Sequence, residues 1–581
     1  RGREGAGVIE ASSVEAVRRA EQVTMSRVPE GALMQRAAAG LAGVVASELV
    51  ARRGGVYGAR VALLVGGGSN GGDALWAGAR LAARGAVVSA LLTSAHPHRE
   101  GLAALQAAGG RLVPADDETA AGRAAVGLQG VDVVVDGLLG IGGRPGLTGG
   151  AAVLADRLPP DALVVAVDLP SGVDPDTGEL AGSAVRADVT VTFGTAKPCL
   201  LLPPADRLAG RLVQVDIGLD PAELGQPAVT RLELSDVEAR WPVPGATDDK
   251  YSRGVLGVVA GGATYTGAAV LCTGAAVRAG AGMVRYVGPQ LPTDLVRARW
   301  PEVVPGEGRV QAWALGSGVD PSEDEQAAAV RKALTSGLPC VVDAGALEVL
   351  TDVLRQHGAP LDAPLLLTPH AGELARLLGA LPDDLSDRRR PPAHEGLTQQ
   401  DPDDVSDPRR RTPHEGLTRE QVEASPLHFA RAAARATDAT VLLKGATTLV
   451  VTPDGRVRAQ PDGPHWLATA GSGDVLTGVA GVLLAAGVDP LDAGSLAAMT
   501  HGVAGARASA GGPVSAESVL DALPDAVTAL LHGRTGHSLR DWDGDRNVPG
   551  RGRRRPGRRH RERGRTRGAR SGRGGHGGGE G

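Results

Sequence analysis

The fold of the first half is decided by the stretch Val61-Ala-Leu-Leu-Val-Gly-Gly-Gly-Ser-Asn-Gly-Gly-Asp73. Its five apolar residues, 61–65, predict a buried strand, and the glycines of 66–72 predict a tight turn. The residues from 74 to 84 then predict a helix, which Gly85 ends. A strand, a glycine-rich turn and a helix in this order favour a parallel α/β sheet.

Further short apolar runs, separated by helical segments, continue this pattern along both halves. In the first half they lie at 87–92, 131–135, 163–167, 189–193 and 212–215. In the second half they lie at 255–259, 340–343, 364–368, 440–443 and 449–452, with helices predicted at 268–278, 374–378, 475–486 and 495–509. This alternation predicts parallel sheets covered by helices on both faces. The predicted fold class is therefore α/β, with one domain in each half.

The composition of the 581 residues excludes several classes of protein. Hydrophobic residues make up 42% of the chain, enough for folded domains rather than a disordered chain. The longest nearly apolar run, 475–488, is shorter than the roughly 20 residues of a membrane-spanning helix. No signal peptide is recognisable, and three isolated cysteines exclude a disulfide scaffold. These features predict a cytoplasmic protein outside the membrane.

Charge is distributed unevenly. The formal net charge of −5 combines +10 in residues 549–581, from 12 Arg and two Glu, with −15 in residues 1–548. Lysine is rare beside 57 Arg, and occurs only as Lys197, Lys250, Lys332 and Lys444. Such a bias can reflect nucleotide composition, but it makes each lysine position worth attention.

Two segments differ in composition from the rest. His394-Glu-Gly-Leu-Thr398 recurs as His414-Glu-Gly-Leu-Thr418, so residues 382–425 are predicted to be a duplicated surface loop, with metal-binding histidines as the alternative. The Arg/Gly-rich segment 536–581 is predicted to be a disordered basic tail. Arg-rich tails can bind nucleic acid through phosphates. This one has a single aromatic residue to stack on bases, so we do not expect it to bind nucleic acid.

Polar residues follow three predicted strands of the first half, at the edge where open α/β sheets bind ligands. The glycine-rich turn contains Asn70. The next strands along this edge are followed by Asp136 and by Asp168 with Ser171. Their oxygens suit a monovalent or divalent cation, and a carboxylate there can act as a general acid or base. The alternative is that each Asp only caps its own loop.

The turn also contains the Gly-x-Gly-x-x-Gly pattern of dinucleotide-binding units, at Gly66, Gly68 and Gly71. That pattern requires an acidic residue at the end of the next strand, where this chain has Thr93-Ser94. Asp73 would moreover place a negative charge in the first helical turn, where a pyrophosphate would bind. These features disfavour a redox Rossmann domain, and a purely structural turn remains an alternative.

Three motifs in order resemble the NAD(P)H-hydrate epimerase domain of the YjeF N-terminal family, over roughly residues 10–225. They are Ser69-Asn-Gly-Gly-Asp73, Asp136-Gly-Leu-Leu-Gly-Ile-Gly142 and Val167-Asp-Leu-Pro-Ser-Gly172. The resemblance implies a Rossmann-like three-layer domain, a potassium ion held by Asn70, Asp136 and Ser171, and proton transfer by Asp168. The implied pocket for the hydrated nucleotide consists of Ser69, Asn70, Gly71, Gly72, Asp73, Gly140, Ile141, Gly142, Gly143, Arg144, Pro145, Gly146 and Asp168. Ser69 and Ala74 replace the usual Asn and Gly of the family, from which we expect weakened binding.

In the second half, Ala470-Gly-Ser-Gly-Asp474 directly precedes a helix. Glycine amides at a helix N-terminus bind anions, and an Asp there can deprotonate a hydroxyl that attacks a phosphate. Lys444, at the end of a predicted strand, can meet a nucleotide phosphate. His370 and Glu373 follow another strand. A structural role is the alternative for this glycine-rich turn and for His370.

Seven motifs in order resemble the ADP-dependent NAD(P)H-hydrate dehydratase family, which has a ribokinase-like α/β fold, over about residues 245–535. The motifs lie at 262–269, 280–282, 315–318, 342–345, 368–373, 444–445 and 471–474. The resemblance implies Asp474 as the catalytic base and Mg²⁺ on the ADP phosphates. The implied contacts to the hydrated nucleotide are Ala268, Gly318, His370, Ala371, Gly372, Glu373, Leu374, Ala375, Arg376 and Asp474. The implied contacts to ADP are Lys444, Gly445, Ala446, Thr447, Thr448, Thr469, Ala470, Gly471, Ser472 and Gly473, in a segment that starts at Pro464.

The two resemblances fit one reaction sequence, with residues 226–244 as the linker between the domains. The first half would interconvert the R and S forms of hydrated NADH or NADPH. The second half would dehydrate the S form while ADP becomes AMP and phosphate. We also expect a homo-oligomer. The alternative is a ribokinase-like small-molecule kinase fused to a Rossmann-type nucleotide-binding domain.

Overall fold

The predicted strand at 61–65 lies at the centre of a parallel sheet. The computed structural model describes residues 8–381, 414 and 416–533. Among these residues the first sheet has seven strands in the order β4-β3-β2-β5-β6-β7-β8. They are β2 (Arg60–Val65), β3 (Val87–Leu92), β4 (Arg111–Pro114), β5 (Val133–Gly137), β6 (Leu163–Val167), β7 (Val189–Phe193) and β8 (Arg211–Val215). The chain order reverses between β2 and β5, which is where open α/β sheets bind their ligands.

Helices cover both faces of this sheet. They are α1 (Val14–Met25), α2 (Ala32–Arg53), α3 (Ser69–Ala83), α4 (Arg99–Ala107), α5 (Glu118–Val126), α6 (Gly149–Ala155), α7 (Asp206–Ala209) and α8 (Pro221–Leu224). Along β2, Leu63 packs in one cluster with α2 and α3, and the next residue, Leu64, packs in another with α5 and α6. This alternation is that of a strand buried on both faces. The predicted three-layer α/β fold is confirmed for this half.

Helix α3 begins earlier than predicted. Its first residue is Ser69, so only Gly66 to Gly68 form the turn, and Asp73 lies in the second helical turn rather than the first. Small residues allow the early start, because the helix packs against the backbone of the strands. A Cβ on Gly71 would lie 2.3 Å from the carbonyl oxygen of Gly66.

The second sheet has eleven strands among the described residues, in the order β1-β9-β18-β17-β16-β15-β14-β13-β10-β11-β12. They are β1 (Ile9–Ala11), β9 (Val229–Arg231), β10 (Val255–Val259), β11 (Met283–Val287), β12 (Val304–Pro305), β13 (Ala312–Leu315), β14 (Cys340–Val342), β15 (Leu365–Leu367), β16 (Thr440–Leu443), β17 (Thr448–Val451) and β18 (Val457–Gln460). The strands from β12 to β16 are parallel, and β17 is antiparallel to both of its neighbours. Here the chain order reverses between β10 and β13.

Helices also cover both faces of the second sheet. They are α9 (Leu234–Arg240), α10 (Thr266–Arg278), α11 (Gln290–Arg299), α12 (Asp324–Leu334), α13 (Gly345–His357), α14 (Ala371–Ala380), α15 (Arg419–Ala424), α16 (Pro426–Thr437), α17 (Ser472–Ala485), α18 (Pro490–Ser509) and α19 (Ala516–Leu531). One face packs against α10, α17, α18 and α19, and the other against α12 to α16. The predicted α/β class is confirmed for this half as well.

Two strands of the second sheet come from outside the segment predicted for the second domain. Strand β9 lies in the predicted linker and pairs with β18, and β1, near the start of the chain, pairs antiparallel with β9. The linker also supplies Val237 and Trp241 to the apolar core beneath α19. Residues 226–244 are therefore part of the folded second half.

One described helix, α2, is long and apolar enough to cross a membrane by length and composition. Its apolar side is buried against the first sheet, with Leu41, Val45 and Leu49 in the core. It is thus a core helix of this domain. The predicted disordered tail at 536–581 and most of the duplicated segment at 382–425 lie outside the described residues.

Candidate active sites

The first candidate site is a cleft of about 340 Å³ at the ends of β2, β3 and β5. Of the predicted pocket residues, Arg144 and Gly146 line it. The remaining lining residues are Gly66, Gly67, Thr93, Ser94, Leu138, Leu139, Leu147, Thr148 and Ala151. The cleft lies at the switch point of the sheet, where α/β folds bind nucleotides.

Asp136, Ser171 and Asn70 meet beside this cleft, as predicted from their motifs. Asp136 accepts hydrogen bonds from the Ser171 hydroxyl at 2.6 Å and from the Ser171 amide at 2.8 Å. Asn70 Nδ2 lies 3.2 Å from the carbonyl oxygen of Leu139, which is also 3.2 Å from Ser171 Oγ. A Cβ on Gly140 would lie 2.4 Å from Asn70 Oδ1, so glycine is required there. Asn70 and Ser171 thus share one main-chain carbonyl, and Ser171 connects it to Asp136.

The donor set of this cluster fits a monovalent cation. Asp136 is fully buried, and burial raises its pKa to about 6 despite the hydrogen bonds from Ser171. The oxygens around it come from an amide, a hydroxyl and main-chain carbonyls, which are hard and neutral ligands. A buried carboxylate among neutral oxygens is compensated by a cation of single charge.

Asp168 lies at the end of β6 in a strained backbone conformation, with φ of 68°. Its Oδ1 accepts hydrogen bonds from the Lys197 amine, from Thr192 Oγ1 at 3.2 Å and from the Phe193 amide at 3.1 Å. Lys197 is 1% exposed, so the two side chains form a buried ion pair. Oδ2 of Asp168 meets no hydrogen-bond donor in the part of the chain that the structure describes, and it remains available to a ligand.

Asp73 and Glu21 carry further carboxylates near this ion pair. Asp73 is 5% exposed, and its Oδ1 is buried without a hydrogen-bond partner among the described residues. Burial raises the pKa of Asp73 well above its usual range, and the negative charges of Asp168 and Glu21 raise it further. Burial also raises the pKa of Glu21. Asp73 therefore holds a proton more readily than an exposed carboxyl group does.

The second candidate site lies at the switch point of the second sheet. A cleft of about 240 Å³ is lined by Gly262, Ala263, Thr264, Tyr265, Gly318, Val319, Asp320, Pro321 and Glu323. Two of the residues predicted to contact the hydrated nucleotide, Ala268 and Gly318, lie next to each other at this cleft. A Cβ on Gly318 would lie 2.6 Å from that of Ala268, and the φ of Gly318 is 67°. Glycine is thus required at this position for two independent reasons.

Asp343 is the centre of the polar cluster in this half. It accepts hydrogen bonds from Lys444 Nζ at 2.7 Å, Thr368 Oγ1 at 3.0 Å and Thr477 Oγ1 at 3.1 Å. Lys444 Nζ also lies 3.5 Å from Glu373 Oε2. Burial alone would lower the pKa of Lys444, but the two carboxylates outweigh it and the pKa is raised. Lys444 is therefore a fixed positive charge at the ends of β14, β15 and β16.

His370 has a structural role in addition to the predicted ligand role. It caps helix α14, because its Nδ1 accepts from the amides of Gly372 and Glu373 at 3.1 and 3.2 Å. Glu373 in return accepts from the His370 amide at 2.8 Å, which completes a capping box. Burial lowers the pKa of His370, so the ring is neutral at pH 7 and can accept these bonds. Its side chain is half exposed, and its Nε2 lies 3.5 Å from Oε1 of Glu373.

The two predicted ADP-binding segments meet at the amine of Lys444. A Cβ on Gly473 would lie 3.5 Å from Lys444 Nζ and 4.0 Å from Asp343 Oδ2. Asp474 follows in the first turn of α17, where burial and the negative charge of Asp343 raise its pKa to about 7. Glycine amides at a helix start, a fixed cation and a carboxyl of near-neutral pKa form a site for phosphoryl chemistry.

Two residues of the sites were not predicted from the sequence. Lys197 belongs to the rare lysines, so the scarcity of lysine that drew attention to Lys444 was also a signal for it. Asp343 follows strand β14 as Asp168 follows β6, and a rule that counts every acid at a strand end would have found it. Each of these two residues is the more buried partner of an ion pair in its own site.

Comparisons with known families match both halves. The model of the YjeF-related protein N-terminus matches residues 30–199, and the model of the NAD(P)H-hydrate dehydratase matches residues 256–524. Residues 69–73, 136 and 168 lie within the first match, and 343, 444 and 474 lie within the second.

Curated relatives span most of the chain. The bifunctional NAD(P)H-hydrate repair enzyme Nnr of Mycobacterium tuberculosis is 46% identical over 483 residues, 82% of this chain and 89% of the relative. The enzyme of the same name from Mycobacterium leprae is 42% identical over 533 residues, 89% of this chain and 99% of the relative. The ADP/ATP-dependent NAD(P)H-hydrate dehydratase of Bacillus subtilis, co-crystallised with ATP and Mg²⁺, covers 52% of this chain and 98% of its own, at 24% identity and a TM-score of 0.42.

Proposed function

The chain belongs to the family of bifunctional NAD(P)H-hydrate repair enzymes, and we propose that its two halves catalyse the two steps of the repair at the two sites described above. The first half interconverts the R and S hydrates of NADH or NADPH. The second half dehydrates the S hydrate and converts ADP to AMP and phosphate. The observation that carries this assignment is the cluster of Asp474, Lys444 and Gly473, which combines a base of near-neutral pKa with an anion site.

The buried acids of the first half support an acid–base mechanism for epimerisation. Asp168, whose charge Lys197 balances, accepts the proton of the ring hydroxyl while the bond from that ring carbon to the ring nitrogen breaks. Asp73, whose pKa is raised by burial, gives a proton to the ring nitrogen. Closure of the ring on the opposite face reverses both transfers. A buried carboxyl group with a raised pKa and a carboxylate paired with a lysine suit these two roles.

Asn70, Asp136 and Ser171 are the residues that hold K⁺ in this proposal. A bound K⁺ would supply a positive charge that compensates the buried Asp136 carboxylate. The residues themselves fix the ends of β5 and β6, since Ser171 donates to Asp136 across these neighbouring strands. Gly140 to Gly146 follow β5 directly, so this contact also positions the predicted substrate loop. Ser69 is exposed at the start of α3 and retains a hydroxyl for the same loop.

The second half supplies the groups for phosphoryl transfer. Asp474 accepts the proton of the ring hydroxyl, whose oxygen attacks the terminal phosphorus of ADP, and AMP leaves. Phosphate then leaves the ring carbon, and loss of a proton from the neighbouring carbon restores the NADH ring. Lys444 neutralises charge on the transferring phosphoryl group, and the amides of 471–473 bind its oxygens.

Mg²⁺ enters this proposal with ADP, as the counterion of the phosphates. The described residues contain no group of three His, Cys, Asp or Glu that would hold a metal ion by themselves. A metal carried by the nucleotide fits such a site, because Mg²⁺ in phosphoryl-transfer sites uses one or two carboxylates plus substrate phosphates. Asp343 lies 2.7 Å from Lys444 Nζ and 4.0 Å from the Cβ position of Gly473, so it is the carboxylate that we propose for this role.

Separate hydrates test the assignment of each half. The full chain is incubated with ADP, Mg²⁺ and K⁺ and with either the R or the S hydrate of NADH, and the NADH absorbance is followed. We expect Asp168→Asn to process the S hydrate but not the R hydrate, and Asp474→Asn to process neither. Failure of the unaltered chain to restore NADH from the S hydrate would contradict the proposed function.

The same assay distinguishes the alternative of a small-molecule kinase. A kinase would consume the nucleotide and accumulate a phosphorylated product, and it would release no free phosphate. The repair reaction releases AMP and phosphate in equal amounts with NADH. Hydrated NADH and NADPH, with ADP, are thus the proposed ligands.

The predicted location is the cytoplasm, and the free cysteines in the described residues agree with a reducing compartment. The predicted homo-oligomer stays a prediction.

A further inference from the structure

The two halves share an apolar core next to the predicted ADP-binding loop. Leu200, Leu201 and Leu202 of the first half are buried in one cluster with residues of the second half. Leu443 and Leu449, which belong to the same cluster, flank the loop 444–448 on both sides. The first half and the strands that carry this loop therefore contribute to one apolar core.

A polar contact crosses this apolar interface. Thr447, on the loop, donates a hydrogen bond from its hydroxyl to Oδ2 of Asp206, which is the first residue of α7 in the first half. Thr447 is 4% exposed. Oδ1 of Asp206 is buried and has no hydrogen-bond partner among the described residues. The contact is thus largely buried in the interface, where a charge-assisted hydrogen bond is stronger than at an exposed surface.

The loop itself is a short hairpin connection that is held at both ends. Leu443 of β16 pairs with Leu449 of β17, and Lys444 to Thr447 connect the two strands. Lys444, at one end, binds Asp343 of the second half at 2.7 Å. Thr447, at the other end, binds Asp206 of the first half. Each half of the molecule therefore fixes one end of the predicted nucleotide loop.

Asp206 has a fixed position of its own. The segment that leads to it begins at Lys197, which is paired with Asp168, and continues through a buried turn at 198–200. The Asp206 amide donates to the carbonyl oxygen of Leu202 at 2.9 Å. Asp206 is therefore a rigid support for the hydroxyl of Thr447.

We propose that Asp206 is a positioning residue for the dehydratase half: its carboxylate holds Thr447 and so presets the loop 444–447 for ADP. The inference rests on the proposed function, because it takes this loop as an ADP contact. A loop preset in its bound conformation costs less conformational entropy on binding. Loss of the contact therefore weakens ADP binding, while the chemistry at Asp474 stays intact.

Substitutions on both sides of the contact test the proposal. Asp206→Ala and Thr447→Val each remove the hydrogen bond, and Thr447→Ser keeps it. In the full chain with the S hydrate as substrate, we expect the first two variants to raise KM for ADP about fivefold to tenfold, with kcat within about twofold of the unaltered enzyme. Thr447→Ser keeps a hydroxyl for Asp206, so its KM for ADP should rise less than that of Thr447→Val. The double variant should be no worse than either single one, because one contact is removed only once.

Controls separate a positioning role from a general loss of structure. Asp161→Ala, at an exposed turn of the first half, is the matched control and should change neither parameter. Asp206→Asn keeps a hydrogen-bond acceptor at the same place, and it serves as a second variant in case Asp206→Ala does not fold.

Unchanged KM for ADP in Asp206→Ala and Thr447→Val would overturn the proposal and leave the repair function standing. A fall in kcat that Thr447→Ser does not rescue would also overturn it. An unaltered chain that neither binds nor uses ADP would contradict the proposed function and this inference together.

Discussion

Lys197 donates a hydrogen bond to Asp168, and both side chains are almost completely buried at the carboxyl end of the first sheet. Thr192 and the Phe193 amide donate to the same oxygen. The backbone at Asp168 turns sharply, because the Leu169 amide donates to the carbonyl oxygen of Val167 at 2.8 Å. This γ-turn-like conformation is rare for a residue other than glycine and is found at functional sites, where neighbouring contacts hold it. The ion pair is such a contact.

Lys197→Met is expected to abolish epimerisation and to spare dehydration. Without the amine, Asp168 is a buried charge without compensation, and it takes up a proton or moves. We expect a loss of about 100-fold or more in the rate with the R hydrate, the usual scale of acid–base catalysis. The rate of NADH recovery from the S hydrate, measured in parallel, should remain within about twofold.

The stability of this variant offers a second measurement. Removal of one partner of a buried ion pair costs about 3–5 kcal/mol. The double variant with Asp168→Asn should recover part of that stability in thermal unfolding but none of the epimerase activity. Lys250→Met removes an exposed lysine and is the control for the loss of a positive charge. Full epimerase activity in Lys197→Met would refute the role assigned to this pair.

Dehydration should depend on the protonation of Asp474. Burial and the neighbouring charge of Asp343 raise its pKa to about 7, and only the unprotonated carboxylate can accept the hydroxyl proton. Below pH 7 the rate should therefore fall by about tenfold for each pH unit, and above it the rate should level off. The measurement is kcat for the S hydrate at saturating ADP between pH 5 and pH 9.

Asp343→Asn provides the matched test of the cause. Because a like charge raises the pKa of a carboxyl group, its removal should shift the acid limb to lower pH, whatever the loss in absolute rate. Epimerisation of the R hydrate uses the other half and should keep its own pH profile. An acid limb near pH 4 in the unaltered enzyme would contradict a raised pKa of the base.

K⁺ should stabilise the first half in a pH-dependent manner. Burial raises the pKa of Asp136 to about 6, so the folded state keeps a proton that the unfolded state loses between about pH 4 and pH 6. Stability therefore falls as the pH rises through this window. Above pH 6 the buried carboxylate is charged, and a bound K⁺ compensates it. We expect K⁺, compared with Li⁺, to raise the melting temperature at pH 8 but not at pH 5.

Variants identify the ligand responsible for this stabilisation. Each kcal/mol of K⁺ binding corresponds to a rise of about 2–4 °C for a domain of this size. Asp136→Asn should remove the K⁺ response at pH 8, because the amide carries no charge. Asp161→Asn, at an exposed turn, should retain it. An equal response to K⁺ in Asp136→Asn would place the ion elsewhere.

Sequence patterns predicted the polar residues that lie at strand ends, because parallel strands bring their carboxyl ends to one edge. Asp136, Ser171 and Asn70 lie together for this reason. The partner of Asp168 was not predicted, since Lys197 is 29 residues away and reaches it only because β6 and β7 pair side by side. Pairing across neighbouring strands depends on sheet order, which local patterns do not contain.

The boundary between the halves was harder to predict for a related reason. Strand β9 has three residues, too few for a recognisable alternation, and it is a strand because β18 and β1 pair with it. The contact of Asp206 with Thr447 likewise depends on how the halves pack. Motifs predicted which residues gather at Asn70, Asp136 and Ser171, whereas the partners of Asp168 and Lys444 and the contacts between the halves depend on the folded sheets.

The linker should therefore be essential to the second half. A chain that begins at residue 245 lacks Leu232, Val237 and Trp241, which are buried against the helices of the second domain. Loss of large core side chains costs about 2–5 kcal/mol each, and the edge of β18 would also lose its partner. We expect the fragment 245–533 to melt well below the fragment 226–533, or to aggregate. Thermal unfolding of the two fragments decides this, with dehydration of the S hydrate as a second readout. Equal melting temperatures would mean that the second half folds without the linker.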